Sequence, residues 1–198
     1  RWLPPDYYAQ LVAGNTDDSI RVLLANEDGF YVDGLPVHPW YVDSVHCAQA
    51  EFEPDPALPA VVGADFGRTP AATFWQWLPK WGRWTCFDEI TTENMSASIF
   101  APEAKLYLDR RYPGLRVDGW GDPAGDKSGQ TVETTPIDLM RAAGIPMRPA
   151  PSNVVALRRA ALSGPGRRLC MDARPALLVS PRAKMLRKGL MGGFCFRR

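Results

Sequence analysis

The sequence predicts one α/β domain: a mixed central sheet that begins as an antiparallel hairpin, continues in parallel strands and is flanked by helices. Three observations carry that expectation. The short apolar run Ala60-Val61-Val62-Gly63-Ala64-Asp65 is followed by two aromatic-rich runs on either side of Pro79-Lys80-Trp81-Gly82. After them, helical spacings alternate with short strand-like runs. The chain of 198 residues is 45% hydrophobic and 23% charged, enough to bury one core and too apolar to stay unfolded.

Each element has a local reason. Residues 5–14 read as a short helix with Pro near its start and Gly at its end, and 19–25 (SIRVLLA) as a helix or a strand. The run EFEPDPALP (51–59) sustains neither period and reads as a linker, so 1–58 are expected to form an entry and linking segment that packs on the principal domain, 59–198. Residues 60–65 suit a buried strand. AATFWQWL (71–78) and RWTCFDEI (83–90) pair as a hairpin. Four of the seven tryptophans, Trp75, Trp77, Trp81 and Trp84, fall there and are expected to pack on the sheet. Residues 94–111 have helical spacing and stop at Tyr112-Pro113-Gly114. Residues 115–121 form a strand running into Asp122. A helix over 135–143 stops at Gly144, a short strand covers 145–148 and a further helix 154–162. Residues 168–179 read as a second hairpin turning at Asp172-Ala173-Arg174-Pro175.

Composition excludes several classes. No run approaches the roughly 20 uncharged apolar residues of a membrane helix. Arg1-Trp2-Leu3-Pro4-Pro5 lacks the order of a signal peptide. Cys47, Cys86, Cys170 and Cys195 lie far apart and never as C-x-x-C, which argues against a zinc knuckle and a disulfide framework; reduced, mostly buried cytosolic thiols are expected. His38 and His46 stand eight residues apart with no helical motif and read as structural groups. No G-x-S-x-G elbow or Cys–His pattern supports covalent catalysis. The charge is uneven. Residues 151–198 hold eleven basic side chains against Asp172 alone, a net +10, whereas the first 150 hold twelve basic and 21 acidic groups, a net −9. An acidic body that can hold cations and a basic flank that can meet a polyanion point to nucleic acid.

The chemistry is expected at the strand ends. A carboxylate closing an apolar strand is poorly solvated unless a positive charge approaches it, and both Asp65 and Asp122 are placed this way. Two such groups on neighbouring strands suit Mg²⁺ or Mn²⁺, which prefer oxygen ligands and keep waters for substrate phosphates. Two ions about 3.5–4 Å apart activate a water and stabilise the departing oxygen of a phosphodiester. Gly67 follows Asp65 where the backbone must turn, and Arg68 is placed to meet a phosphate. Asp126 is an additional possible ligand, with an exposed loop carboxylate as its alternative, and Glu89 closes the hairpin. GDPAGDKS (121–128) nearly matches a phosphate-binding loop, but Asp126 stands where the second glycine is required. Its charge would repel the β-phosphate.

Four segments, VVGADFGRTPAATFWQ, GWGDPAGDKSGQT, AAGIPMRPAPSN and LLVSPRAKMLRKGLMGGF, resemble in this order the nuclease domain of the large terminase subunit of tailed bacteriophages. LPPDYYAQLVAGN and GLPVHPWYVDSVH resemble the piece that joins it to the packaging motor. The resemblance implies an RNase H-like fold with an auxiliary hairpin around Asp172, and Mg²⁺- or Mn²⁺-dependent cleavage of double-stranded DNA during genome packaging. It assigns Asp65 and Asp122 as the catalytic, metal-holding carboxylates and implies a terminase ATPase domain in cis, portal and small-subunit partners, and the bacterial host cytoplasm. Arg68, Arg182, Lys184, Arg187 and Lys188 would position the DNA backbone. The family's third aspartate follows the region matching MGGFCF, where this sequence has no match, and no acceptable phosphate loop for an ATPase is found. Other readings are an RNase H-like resolvase or recombinase, and a non-catalytic DNA-binding or motor-docking module.

Overall fold

The computed structural model describes residues 35–123 and 134–196. The helix expected over 5–14, the element at 19–25 and the ligand candidate Asp126 lie outside the described residues. The chain divides into two compact units, residues 42–187 and the flanks 1–41 with 188–198. In the flanking unit, β1 (Leu35–Pro36) pairs antiparallel with β8 (Cys195–Phe196), and His38 meets the Trp40 ring edge-on at 5.6 Å.

The principal unit runs α1 (Asp43–His46), β2 (Ala60–Asp65), β3 (Ala71–Leu78), β4 (Arg83–Thr91), α2 (Ala97–Arg111), β5 (Val117–Gly121), α3 (Pro136–Ala142), β6 (Met147–Pro149), α4 (Val155–Gly166) and β7 (Leu177–Val179), then enters α5 (Lys184–Lys188). Six strands form one mixed sheet in the order β6-β5-β2-β3-β4-β7. The β3 strand is antiparallel to both β2 and β4, while β5, β6 and β7 join in parallel. This is the expected hairpin-then-parallel architecture, with β2 and β3 at the residues read from the sequence. The α2 helix starts at Ala97 because Asn94 adopts a left-handed φ of 49° and Ser96 is extended at the N-cap.

The second hairpin is shorter than expected: Leu169 and Pro175 pair, the Cys170 amide donates to the Arg174 carbonyl at 2.8 Å and the Ala176 amide to the Arg168 carbonyl at 2.8 Å, and residues 177–179 then leave it to extend the main sheet beside β4. Residues 51–59 have no regular structure, as their sequence implies, and lie as a strap on the sheet. Buried Gln76 accepts from the Asp55 amide at 2.8 Å and donates to the carbonyls of Asp55 and Leu58.

One face of the sheet carries the core. Ala60, Val62, Ala64, Ala72, Phe74 and Phe87 pack against Phe100, Ala104 and Leu108 of α2 and Ile137 and Met140 of α3. Each large apolar side chain so buried contributes about 1.5–3 kcal/mol. A bulge opposite Phe74 and Trp75 lets the consecutive Phe87 and Asp88 both be buried. Asp88, 1% exposed, accepts hydrogen bonds from the hydroxyls of Tyr107 at 2.6 Å and Tyr112 at 2.7 Å, and from the Glu89 amide. Burial and the hydrogen bond to Asp88 push the Tyr107 phenol up to about 12 and that of Tyr112 higher still. The Tyr112 hydroxyl in turn accepts from Arg182, which is paired with Glu51 and Glu53 at 2.9 Å.

His46 is the structural group expected, its Nε2 lying 2.8 Å from the Gly166 carbonyl at the end of α4. The four cysteines hold no disulfide; only Cys86 is fully buried, and burial raises its thiol well above the ordinary range. Among the described residues no helix is long and apolar enough to cross a membrane.

Removing the buried acceptor strands two phenols in the core. Asp88→Ala is expected to lower the unfolding free energy by about 3 kcal/mol and Tyr112→Phe by about 1 kcal/mol, read from urea denaturation followed by tryptophan fluorescence.

Candidate active site at the open face of the sheet

Strand alternation divides the two faces cleanly. Val62 and Ala64 point into the core, so Val61, Gly63 and Asp65 point the other way. The parallel register places Gly63 opposite Trp120 and Ala64 opposite Gly121. The Asp122 amide then donates to the Ala64 carbonyl at 3.2 Å and continues the ladder one residue past the strand. Asp65 and Asp122 therefore follow paired residues on adjacent parallel strands, about 4.8 Å apart across the ladder, and both line one open cleft of about 320 Å³ with Thr73, Trp120 and Ser152.

Glycines make room on the core side of this edge. A Cβ on Gly121 would lie 2.6 Å from the Phe66 ring and 3.2 Å from Ile137, and one on Gly119 2.9 Å from the Pro146 carbonyl. Phe66, the residue after Asp65, thus packs directly beneath the residue before Asp122. The two strand ends are locked to each other by that contact as well as by the ladder.

The carboxylates differ in surroundings. Asp65 is exposed. Asp122 is mostly covered: Arg158 of α4 approaches its Oδ2 with Nη1 at 3.7 Å, and Asn153 Nδ2 lies 3.5 Å from its Oδ1. Arg158 also donates to Asn153 Oδ1 at 2.8 Å. Sequence reasoning passed over both residues. A signal was present: an asparagine just before a predicted helix and an arginine one turn inside it, where the helix dipole disfavours a cation lacking an anionic partner.

Glu89 faces the same side of the sheet, two strands from Gly63 through Thr73. Its carboxylate accepts the backbone amides of Met185 at 2.5 Å and Leu186 at 2.8 Å. It tethers the first turn of α5, and burial pushes its carboxyl above the usual range. Among the described residues no third Asp, Glu, His or Cys completes a metal-binding group. The two aspartates nonetheless suit a hard divalent cation, since they supply oxygen donors and leave positions for water and phosphate.

The basic residues read as DNA contacts divide. Arg68, on the turn after Asp65, is exposed, as are Lys184 and Lys188. Arg182 is held by Glu51 and Glu53 with only 14% of its side chain exposed, and Arg187 pairs with Asp43 at 2.6 Å. Asp172 is bound by both its oxygens to the buried Arg83, whose hydrogen bond lowers its carboxyl below the ordinary range.

No family model and no curated protein matches the sequence. Among solved structures, the large terminase of the thermophilic bacteriophage D6E superposes with a TM-score of 0.59 at 12% identity, covering 95% of this chain and 44% of that one. The nuclease domain of the P22 large terminase superposes with a TM-score of 0.53 at 15% identity, covering 76% and 75%. This chain has the fold of a large-terminase nuclease domain. The chain spans less than half the length of the whole D6E terminase.

Because the Gly121 contact aligns the strand ends, Gly121→Ala is expected to lower stability by about 1–3 kcal/mol. The loss is read from urea denaturation of the variant beside the wild-type chain.

Proposed function

We propose that this chain is the metal-dependent endonuclease part of a phage large terminase, hydrolysing double-stranded DNA during genome packaging. The placement of Asp65 and Asp122, side by side at the ends of two parallel strands and facing one cleft, is the observation that carries this reading. The large-terminase fold supports it. In this role both carboxylates would hold Mg²⁺ or Mn²⁺, two ions when DNA is present. The cations supply Lewis acidity toward the scissile phosphate and its leaving oxygen.

The protein's own residues do the rest. Asp65 is open to solvent and would hold the cation together with Asp122. Asp122 is oriented by Asn153. Arg68, beside Asp65, meets the DNA backbone without reading sequence, joined by Lys184 and Lys188. Arg182 and Arg187 have internal partners and are left out of that set. Asp126 remains a candidate additional ligand. The proposed partners are duplex DNA, an ATPase domain in cis, the portal and the small terminase subunit, in the cytoplasm of a bacterial host.

A plasmid-nicking assay with Mn²⁺ tests the reading. Asp65→Asn and Asp122→Asn should each reduce cleavage by about 100-fold or more while leaving the folded state intact by circular dichroism. Cleavage that survives either substitution rejects the hydrolytic site and favours a DNA-binding module. Arg68→Ala should weaken duplex binding for all sequences alike and reduce the slope of log K against log salt by about 1.

A further inference from the structure

The α4 helix is unusual in how little it packs. Of its residues only Gly166, at the C-terminal end, is buried, and Val155 and Leu157 are more than half exposed. Its C-terminus is tied down by the hydrogen bond between the Gly166 carbonyl and His46. At its N-terminal end the described polar contacts with the sheet are those of Asn153 and Arg158 with Asp122.

The contact between Arg158 and Asp122 has the marks of an exchangeable one. The separation of 3.7 Å is an ion pair without a direct hydrogen bond, and the Arg158 side chain is 58% exposed. The short bond goes to Asn153 instead, at 2.8 Å, so the guanidinium is parked beside the carboxylate by a neutral neighbour. Arg158 also sits one turn from the helix N-terminus, where the backbone dipole disfavours it. A pair this open is weak, and a divalent cation with two carboxylates to share outcompetes it.

We infer that Arg158 is an exchangeable counter-ion of the metal site. It neutralises Asp122 until a divalent cation takes that carboxylate, and it then turns to the phosphate that the cation draws into the cleft. The flexible, exposed stem allows the swing without moving the helix. The displaced charge arrives where a polyanion is bound, so the same residue opposes the empty-handed metal and favours the metal–DNA complex. This inference rests on the function proposed above and assigns a positioning role to a residue outside it.

Titration of Mn²⁺ into the chain without DNA, followed by isothermal calorimetry and by the paramagnetic resonance of free Mn²⁺, tests it apart from activity. Arg158→Gln is expected to tighten Mn²⁺ binding about three- to tenfold, since a competing cation is gone. Arg167→Gln, which removes the same net charge at the C-cap of α4, should change it by less than about twofold. With Ca²⁺ in place of Mn²⁺, Arg158→Gln should weaken duplex binding about three- to tenfold, and Arg158→Lys should restore most of it. Unchanged or weaker Mn²⁺ binding in Arg158→Gln overturns the inference alone, provided Asp122→Asn still abolishes binding. If the wild-type chain binds no Mn²⁺ that Asp122→Asn removes, both the exchange and the proposed nuclease site fall.

Discussion

The candidate site depends on one piece of backbone geometry, the parallel pairing of β2 with β5. Parallel neighbours run the same way and end at the same edge, so residues that follow paired positions emerge together. With Ala64 opposite Gly121, the next residue on each strand is an aspartate facing away from the core. A register slip of one residue would turn one of them inward. Gly119 and Gly121 hold the register from the core side, because no larger side chain fits against Pro146 and Phe66 there. The strand pair is thus a device for bringing two carboxylates, 57 positions apart in the sequence, to one rim.

The two faces of the sheet treat negative charge in opposite ways. On the core face, Asp88 is fully buried and saturated by two tyrosine hydroxyls and a backbone amide. Nothing is left for a cation, and its role is to join β4 to α2 and, through Tyr112 and Arg182, to the strap of residues 51–53. On the open face, Asp65 is exposed and shares one cleft with Asp122, whose contacts with Asn153 and Arg158 are long, at 3.5 and 3.7 Å. Glu89 stands between these cases: it faces the open side but spends both oxygens on the first turn of α5. Acidity alone therefore marks no site. What separates the candidate ligands from a strut is how firmly donors of the protein hold the oxygens.

Much of the fold was legible because the relevant signals are local. The run 60–65 alternates in burial and stops at a charged residue; the hairpin has its turn residues at Pro79 to Gly82; Gly144 adopts a φ of 92° and terminates the segment after α3. The two aspartates were legible for the same reason, each closing an apolar strand. The rest depends on distant partners. Residues 51–59 look like a linker because proline breaks both periods, yet the strap is held by Gln76, which is polar and lies inside a strand where its burial has no periodic signature. Residues 177–179 look like the return strand of a hairpin, but after Ala176 the chain pairs in parallel with the distant β4 instead. Arg158 could not be ranked above its ten basic neighbours until α4 was set against Asp122.

The charge asymmetry of the sequence acquires a more specific meaning in three dimensions. Ten uncompensated positive charges in the last 48 residues argue for a polyanionic partner only if they remain available. Several are committed within the protein: Arg182 to Glu51 and Glu53, Arg187 to Asp43, and Arg158 to Asp122. The acidic first part of the chain is in this measure the partner of the basic last part, and their attraction helps to fasten the strap and α1 to the sheet. These pairs are not equivalent. Arg182 is sequestered, hydrogen-bonded to three groups and costly to release, whereas Arg158 is exposed and weakly held. Electrostatic complementarity built for folding thus grades into complementarity available for exchange, and the loosest pair lies at the cleft where charge must move if phosphate is to be bound.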